Sequence, residues 1–197
     1  MDPDGALVEA AASGSREAFD ELVRRHQTAI VALVRALTAG GDEAEDLAQE
    51  AFVRAWRSLR SFRGDSAFRT WLHRVAINVV RTSQTRRTRL QRIFVPFGGP
   101  APDGRSPDLR DADEPVDEAL SRRQIVERAL SELPDDLRVA VTLRDLQGLD
   151  YKEIAGVLGV PIGTVESRIF RARQRLKPLL ASLIGRSGDR IPERSGD

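Results

Sequence analysis

The side chains best suited to chemistry in this chain are cations and amides set at helical pitch. Arg168, Arg171, Arg173, Arg175 and Lys177 follow Gly163-Thr164-Val165-Glu166-Ser167, with no acid between Ser167 and Ile184. Guanidinium groups spaced this way bind phosphate oxygens, while residues at the start of the same helix meet base edges in a major groove. A second row, Thr70, Arg74, Asn78 and Arg81, advances by four, four and three residues. It too offers donors and acceptors for phosphates and bases. Just upstream, Ser61-Phe62-Arg63-Gly64-Asp65-Ser66 is a short loop with an aromatic beside Arg. Unpaired bases stack on such rings, although Phe62 could equally plug a core.

Covalent chemistry has little to work with. The chain has no Cys and two His, His26 and His73, which removes disulfides, thiolate zinc sites and thiol nucleophiles together. No glycine-rich phosphate cradle is present. We expect no catalytic residues, no metal and no cofactor. Each lone His reads as a surface or core-edge residue.

The elements that position these rows are helical. Residues 16–38 place Phe19, Leu22, Val23, Ile30, Leu33, Val34 and Leu37 at mostly three- and four-residue steps. Over residues 42–60, Ala44, Leu47, Ala48, Ala51, Phe52, Ala55, Trp56 and Leu59 form one apolar stripe. Gly40-Gly41 separates these two helices, and Asp42 is the expected N-cap of the second. Glu43, Glu45 and Asp46 suit its positive dipole end, but capping does not account for Gln49 and Glu50 further along. A third helix, from about Asp65 to Thr82, buries Phe68, Trp71, Leu72, Val75, Ala76 and Val79.

Helical patterning resumes at Val116 and runs through Leu133 to Pro134, with Asp135 or Asp136 as the cap of a further helix that stops at Gly148. Tyr151–Leu158 then reads as a short amphipathic helix ended by Gly159, four residues before a second helix opens at Gly163 and continues to about Leu180. This is a helix-turn-helix. Ala155 is small where the second helix crosses, Gly159 permits the positive φ of the turn, and Val165 inserts between the two.

Charge and glycine-proline content divide the chain. The 31 basic residues (29 of them Arg) against 30 acidic ones leave a net charge of +1, which excludes a wholly basic coat protein but not local basic faces. Between Pro96 and Pro115 lie eight Pro and Gly residues, ends included. Arg86, Arg87, Arg89 and Arg92 precede this stretch, and residues 103–118 carry seven acids against two Arg. It reads as a flexible linker, and either as a solvated spacer or as a segment lying in a charged channel. The fold class is therefore all-α, two small helical domains joined by a Pro/Gly-rich linker. The expected boundaries are a disordered N-terminus at 1–14, a first domain at 15–85, the linker at 86–115, a helix-turn-helix domain at 116–182 and a polar tail at 183–197. No apolar run reaches the roughly 18 residues of a membrane span and no signal-peptide order begins the chain, so the expected setting is the cytoplasm.

Asp42 through Trp56 resembles the core-polymerase-binding helix of bacterial sigma factors. Phe68-Arg69-Thr70-Trp71-Leu72 through Asn78 resembles their segment that recognises and melts the −10 promoter element. Leu133-Pro134, Gly148 through Ala155, and Gly163 through Arg173 resemble their −35-reading domain. Two such domains alone, covering about 16–85 and 116–182, match the extracytoplasmic-function sigma factors. The resemblance implies that Asp46, Gln49, Glu50 and Phe52 dock on the coiled coil of the largest polymerase subunit, with the flap as a further contact. It implies that Phe62, Arg63, Trp71, Arg74, Asn78 and Arg81 hold the melted non-template strand and an extruded base. It also implies that Thr164, Glu166, Ser167, Arg168, Arg171 and Arg173 read the −35 duplex. Glu166 stands where the family often has a basic residue; it can accept from a cytosine amino group or cap its helix. A cognate anti-sigma factor is a further implied partner. The competing reading is a conventional helix-turn-helix regulator whose first half is a sensor or dimerisation domain.

Overall fold

A computed structural model describes residues 2–41, 43–94 and 118–188. Among the described residues every regular element is helical, with no strand. The chain runs α1 Gly5–Ala12, α2 Arg16–Thr38, α3 Ala44–Ser58, α4 Phe68–Phe94, α5 Glu118–Ser131, α6 Asp135–Val141, α7 Tyr151–Leu158 and α8 Ile162–Gly188.

The N-terminal segment corrects the expectation of disorder at 1–14. Residues 5–12 form α1, whose Val8 and Ala11 are buried against α2. Asp4 is buried as well, with its carboxylate 2.7 Å from His26 Nε2 and 3.2 Å from Arg25 Nη1. Ser15 then caps α2 by accepting from the Ala18 amide at 3.2 Å. The helix ends where Ala39 and Gly40 turn left-handed, with φ of 57° and 74°. Asp42, the expected cap of α3, lies outside the described residues.

The first half is built around α3. Ala44, Ala48, Ala51 and Ala55 are buried in a row, and side chains this small let α2 and α4 approach from either side. Phe19 packs on Trp56 with ring centroids 4.9 Å apart. A single turn at Leu59–Ser61 leads to the Phe62 loop. There Phe62, Phe68 and Trp71 stack at centroid separations of 5.1–6.3 Å. The third helix exceeds its expected end at Thr82 and runs to Phe94, into the proposed linker. The remainder of that linker, residues 95–117, lies outside the described residues.

In the second half, the acids at the start of α6 do not cap it. Its N-cap position is Pro134, which makes no side-chain bond, and Asp135 and Asp136 occupy the first turn. Asp135 is bonded instead to Arg138 at 2.8 Å. A five-residue π turn, Thr142–Leu146, follows α6. Its widened ring closes with the Gln147 amide donating to the Thr142 carbonyl at 3.0 Å. Asp150 and Glu153 then form a reciprocal capping box on α7, with bonds of 2.7 and 2.8 Å. Gly159 ends α7 with φ of 67°, and Val165 is fully buried between α7 and α8, both as the helix-turn-helix spacing predicts. The last helix reaches Gly188 rather than about Leu180 and carries Pro178 within it.

The two halves pack on one another. Helix α2 contacts α5 and α6, and α4 contacts α7. Ala36 of α2 shares a buried cluster with Leu130, Leu133, Leu137, Val141 and Ala172. Polar bonds seal the join: Arg138 Nη1 donates to the Leu37 carbonyl at 3.1 Å, and Arg69 donates to the Gln147 carbonyl.

Candidate nucleic-acid and polymerase interfaces

Helix α3 presents one face to the core and another to solvent. Asp46 and Gln49 are exposed, and Glu50 is half-buried and accepts from Arg54 at 2.7 Å across one turn. Phe52, grouped with them by the family resemblance, differs from its neighbours: it is half-buried and packs on the core. The apolar group that does face out is Val53, 42% exposed and one turn beyond Gln49. Its signal in the sequence was a large apolar residue off the Ala44–Leu59 stripe. The helix is anchored through Glu45, whose bond to Arg35 of α2 holds its carboxyl below the usual carboxylate range.

The row on α4 is split by its surroundings. Asn78 and Arg81 are exposed, whereas Thr70 is buried, its hydroxyl 3.4 Å from Glu153 Oε1 of α7. Arg74 keeps an accessible surface, but its guanidinium donates to the Gly156 carbonyl on α7. Arg81 lines a small cleft of about 50 Å³ between the halves. At the other end of α4, Phe62 and Trp71 are half-buried partners in the aromatic stack and Arg63 is exposed. Phe62, Arg63 and Arg60 also line an open cavity of about 990 Å³, whose opposite wall is α1. Part of the Phe62 ring supports the core and part lines the cavity.

His73 is enclosed between the halves. Its Nδ1 lies 2.7 Å from the Arg69 carbonyl, and its Nε2 lies 3.4 Å from Gln147 Oε1. Burial pushes its pKa below the ordinary imidazole value, with those two bonds opposing and the Arg69 charge assisting.

Helix α8 carries the remaining set. Glu166, Ser167, Arg171 and Arg173 are exposed, and Thr164 and Arg168 are half-buried. Arg171 donates back to the Ser167 carbonyl at 3.2 Å, Arg168 is 3.3 Å from Asp136, and Arg173 forks onto Asp145 at 2.6 and 3.1 Å. That carboxylate raises the Arg173 pKa further. Sequence reasoning missed Phe170, which is 64% exposed between Arg168 and Arg171 and is the most exposed large apolar side chain described. The helical phase could have found it, since its neighbours Ile169 and Ala172 are buried. Behind this helix, Ala155 is half-buried, Arg144 lies 5.0 Å over the Tyr151 ring, and its Nη1 donates to the Leu149 carbonyl at 2.9 Å.

Residues 22–90 match the family model for sigma-70 region 2, and residues 123–176 match that for sigma-70, region 4. The chain is 43% identical over 188 residues to the ECF RNA polymerase sigma-E factor of Escherichia coli K12, covering 93% of this chain and 97% of the relative. It is 41% identical over 190 residues to the sigma-E factor of Haemophilus influenzae, covering 92% and 97%. Among solved structures it is similar to CnrH in complex with the cytosolic domain of CnrY, with a TM-score of 0.66, 31% identity and coverage of 91% and 97%. It is equally similar, with a TM-score of 0.66, 29% identity and coverage of 83% and 96%, to the sigma factor RpoE in complex with the anti-sigma factor NepR from Bartonella quintana. The pairing of a region 2 fold with a region 4 fold, over nearly the whole length of those relatives, leaves one assignment: the chain belongs to the extracytoplasmic-function family of RNA polymerase sigma factors.

Proposed function

We propose that this chain directs core RNA polymerase to promoters by reading a −35 element with α8 and holding a melted −10 element with α4. It has no catalysis of its own; the polymerase supplies the chemistry. The observation that carries this reading is the spatial division of its faces. An acidic and apolar docking strip, Asp46, Gln49, Glu50 and Val53, lies on α3, while the cationic faces lie on α4 and α8.

On α8 the cations bind phosphates and set the register, and the exposed Ser167, Glu166 and Phe170 meet the base edges. An aromatic edge in a major groove suits a thymine methyl, and a carboxylate suits a cytosine amino group. On α4, Arg74, Asn78 and Arg81 track the single strand. An extruded base enters the cavity beside Phe62 and Arg63, where stacking offsets part of the few kcal/mol that extrusion costs. The flap and the coiled coil of the largest subunit are the expected polymerase contacts. Control by an anti-sigma factor is supported by the two structurally similar proteins, one solved with a named anti-sigma factor and one with a partner's cytosolic domain.

Run-off transcription with purified core polymerase tests the proposal. Adding the chain should raise specific initiation at least tenfold on selected genomic upstream fragments. Equal transcript with and without it, across the whole pool, would sink the reading.

A further inference from the structure

The open cavity of about 990 Å³ has two walls, α1 on one side and the Phe62 loop on the other, and its polar lining falls into two groups. One group is already bonded. Asp2 accepts from the Phe68 amide through Oδ2 at 2.7 Å and from the Asp4 amide through Oδ1 at 3.1 Å. Ser13 Oγ donates to the Glu9 carbonyl at 3.0 Å, and Ser66 Oγ to the Ala67 carbonyl at 3.4 Å. The other group is Glu9 on α1 with Arg60 and Arg63 opposite, all exposed. Among the described residues none of these three side chains has a hydrogen bond or ion pair. Glu9 does not pair with either cation across the gap, so the walls leave room for a flat group between them.

The α1 wall is fixed in position. Val8 and Ala11 are buried, with α1 packed on α2. Asp4 lies 2.7 Å from His26 Nε2 and 3.2 Å from Arg25 Nη1, and Asp2 ties the same end to α4. Helix α1 also lies ahead of residue 22, where the region 2 segment begins, so its wall is additional to that segment.

Chemistry assigns the two walls different tasks. A nucleotide within a strand brings a phosphate on each side, and the paired guanidiniums on the loop wall suit those phosphates whatever the base. With its backbone held there and its ring on Phe62, the base presents its Watson–Crick edge, the edge farthest from the sugar, to α1. A carboxylate can only accept. Cytosine, adenine and guanine each offer it an amino group, whereas thymine sets two carbonyl oxygens around a single N–H.

We infer that Glu9 of α1 is a specificity-determining residue for the extruded −10 base, favouring bases with an exocyclic amino group and rejecting thymine. The inference rests on the proposed capture of that base beside Phe62. Arg60 and Arg63 supply affinity without selection.

Holoenzyme assembled from core polymerase and the full chain tests this on templates randomised across the −10 element. Sequencing the templates recovered in heparin-resistant open complexes gives the base preference at each position. At one position wild type should deplete thymine about tenfold relative to cytosine, the worth of one hydrogen bond to a charged group. Glu9→Gln supplies a donor for a thymine carbonyl, and Glu9→Ala removes the carboxylate. Both should bring thymine at that position to within about twofold of cytosine and leave the other positions unchanged. Arg60→Ala should instead lower recovery of every template without altering the base profile. Misfolding cannot imitate the Glu9 result, because it lowers recovery everywhere and shifts no single preference. A wild-type profile that both Glu9 variants reproduce overturns the inference and leaves the sigma reading standing, as does a change spread over all positions. A wild-type chain that opens no template refutes both.

Discussion

Asp2 caps a helix 66 residues away: its Oδ2 accepts from the Phe68 amide at 2.7 Å. That amide is the first of α4, the helix whose Arg74, Asn78 and Arg81 we propose track the −10 strand. The start of the chain thereby fixes the end of α4 that adjoins the Phe62 cavity. Replacing a capping acceptor by Ala typically costs about 0.5–2 kcal/mol. For Asp2→Ala we expect a loss near 1 kcal/mol, seen as a fall in Tm of about 2–4 °C. No change in Tm would show that water replaces the carboxylate at no cost.

Deleting residues 1–12 should be more damaging. The truncation removes that cap, uncovers the α2 surface beneath Val8 and Ala11, and takes Asp4 from His26 and Arg25. Buried side chains of this kind contribute roughly 1–3 kcal/mol each. Chemical denaturation should show a loss of at least 3 kcal/mol, whereas a dispensable tail would leave the midpoint unchanged.

How far these features were legible depends on how local their causes are. The alanine row of α3 and the Gly159–Val165 turn were readable because their periodicity and backbone demands lie within a few residues. Helix α1 was not, since eight residues with a buried Val8 and Ala11 give too short a pattern to separate from a polar tail. Nothing near Asp2 in the chain announces Phe68 as its partner. The Thr70–Arg81 row of α4 was visible as a helical face, but the burial of Thr70 depends on α7, whose Glu153 is 83 residues distant. Pro134 in place of Asp135 as the N-cap depended on the approach of the chain and on Arg138 claiming the carboxylate. Neither can be read from residue type.

His73 should make stability depend on pH. Its pKa is depressed in the folded chain by burial and lies near 6.5 once unfolded. Between those values the unfolded chain binds the extra proton, so stability is full above about pH 6.5 and is lost as pH falls toward the folded value. Thermal melts of wild type and His73→Gln from pH 7.5 to 5.0 should converge as the pH falls. Parallel curves would show that the imidazole titrates alike in both states.

Charge reversal on α3 separates docking from folding. Asp46→Arg with Glu50→Arg alters exposed or half-buried side chains and breaks only the Glu50–Arg54 pair, an exposed interaction contributing about 0.3–0.5 kcal/mol. Core binding should fall by at least two orders of magnitude while Tm and duplex binding by α8 hold. Equal loss of all three would mean misfolding rather than a lost docking strip.

Phe170 and Arg173 provide the finest test, because both are exposed on α8 and are expected to fail differently. Phe170 has 64% of its surface in solvent, so Phe170→Ala should change stability by less than about 0.5 kcal/mol. If its ring meets a thymine methyl, the variant should relax sequence preference at one base pair while leaving the salt dependence intact. Arg173 is shared with Asp145 and must leave that carboxylate to reach a phosphate. Arg173→Ala should therefore weaken binding to all duplexes alike and reduce the salt slope by about one. Asp145→Ala should act in the opposite direction, releasing the guanidinium and tightening non-specific binding. Fluorescence anisotropy on matched and mismatched −35 duplexes over a salt series measures all three. A uniform loss for Phe170→Ala with a reduced salt slope would place that ring against the backbone, not the bases.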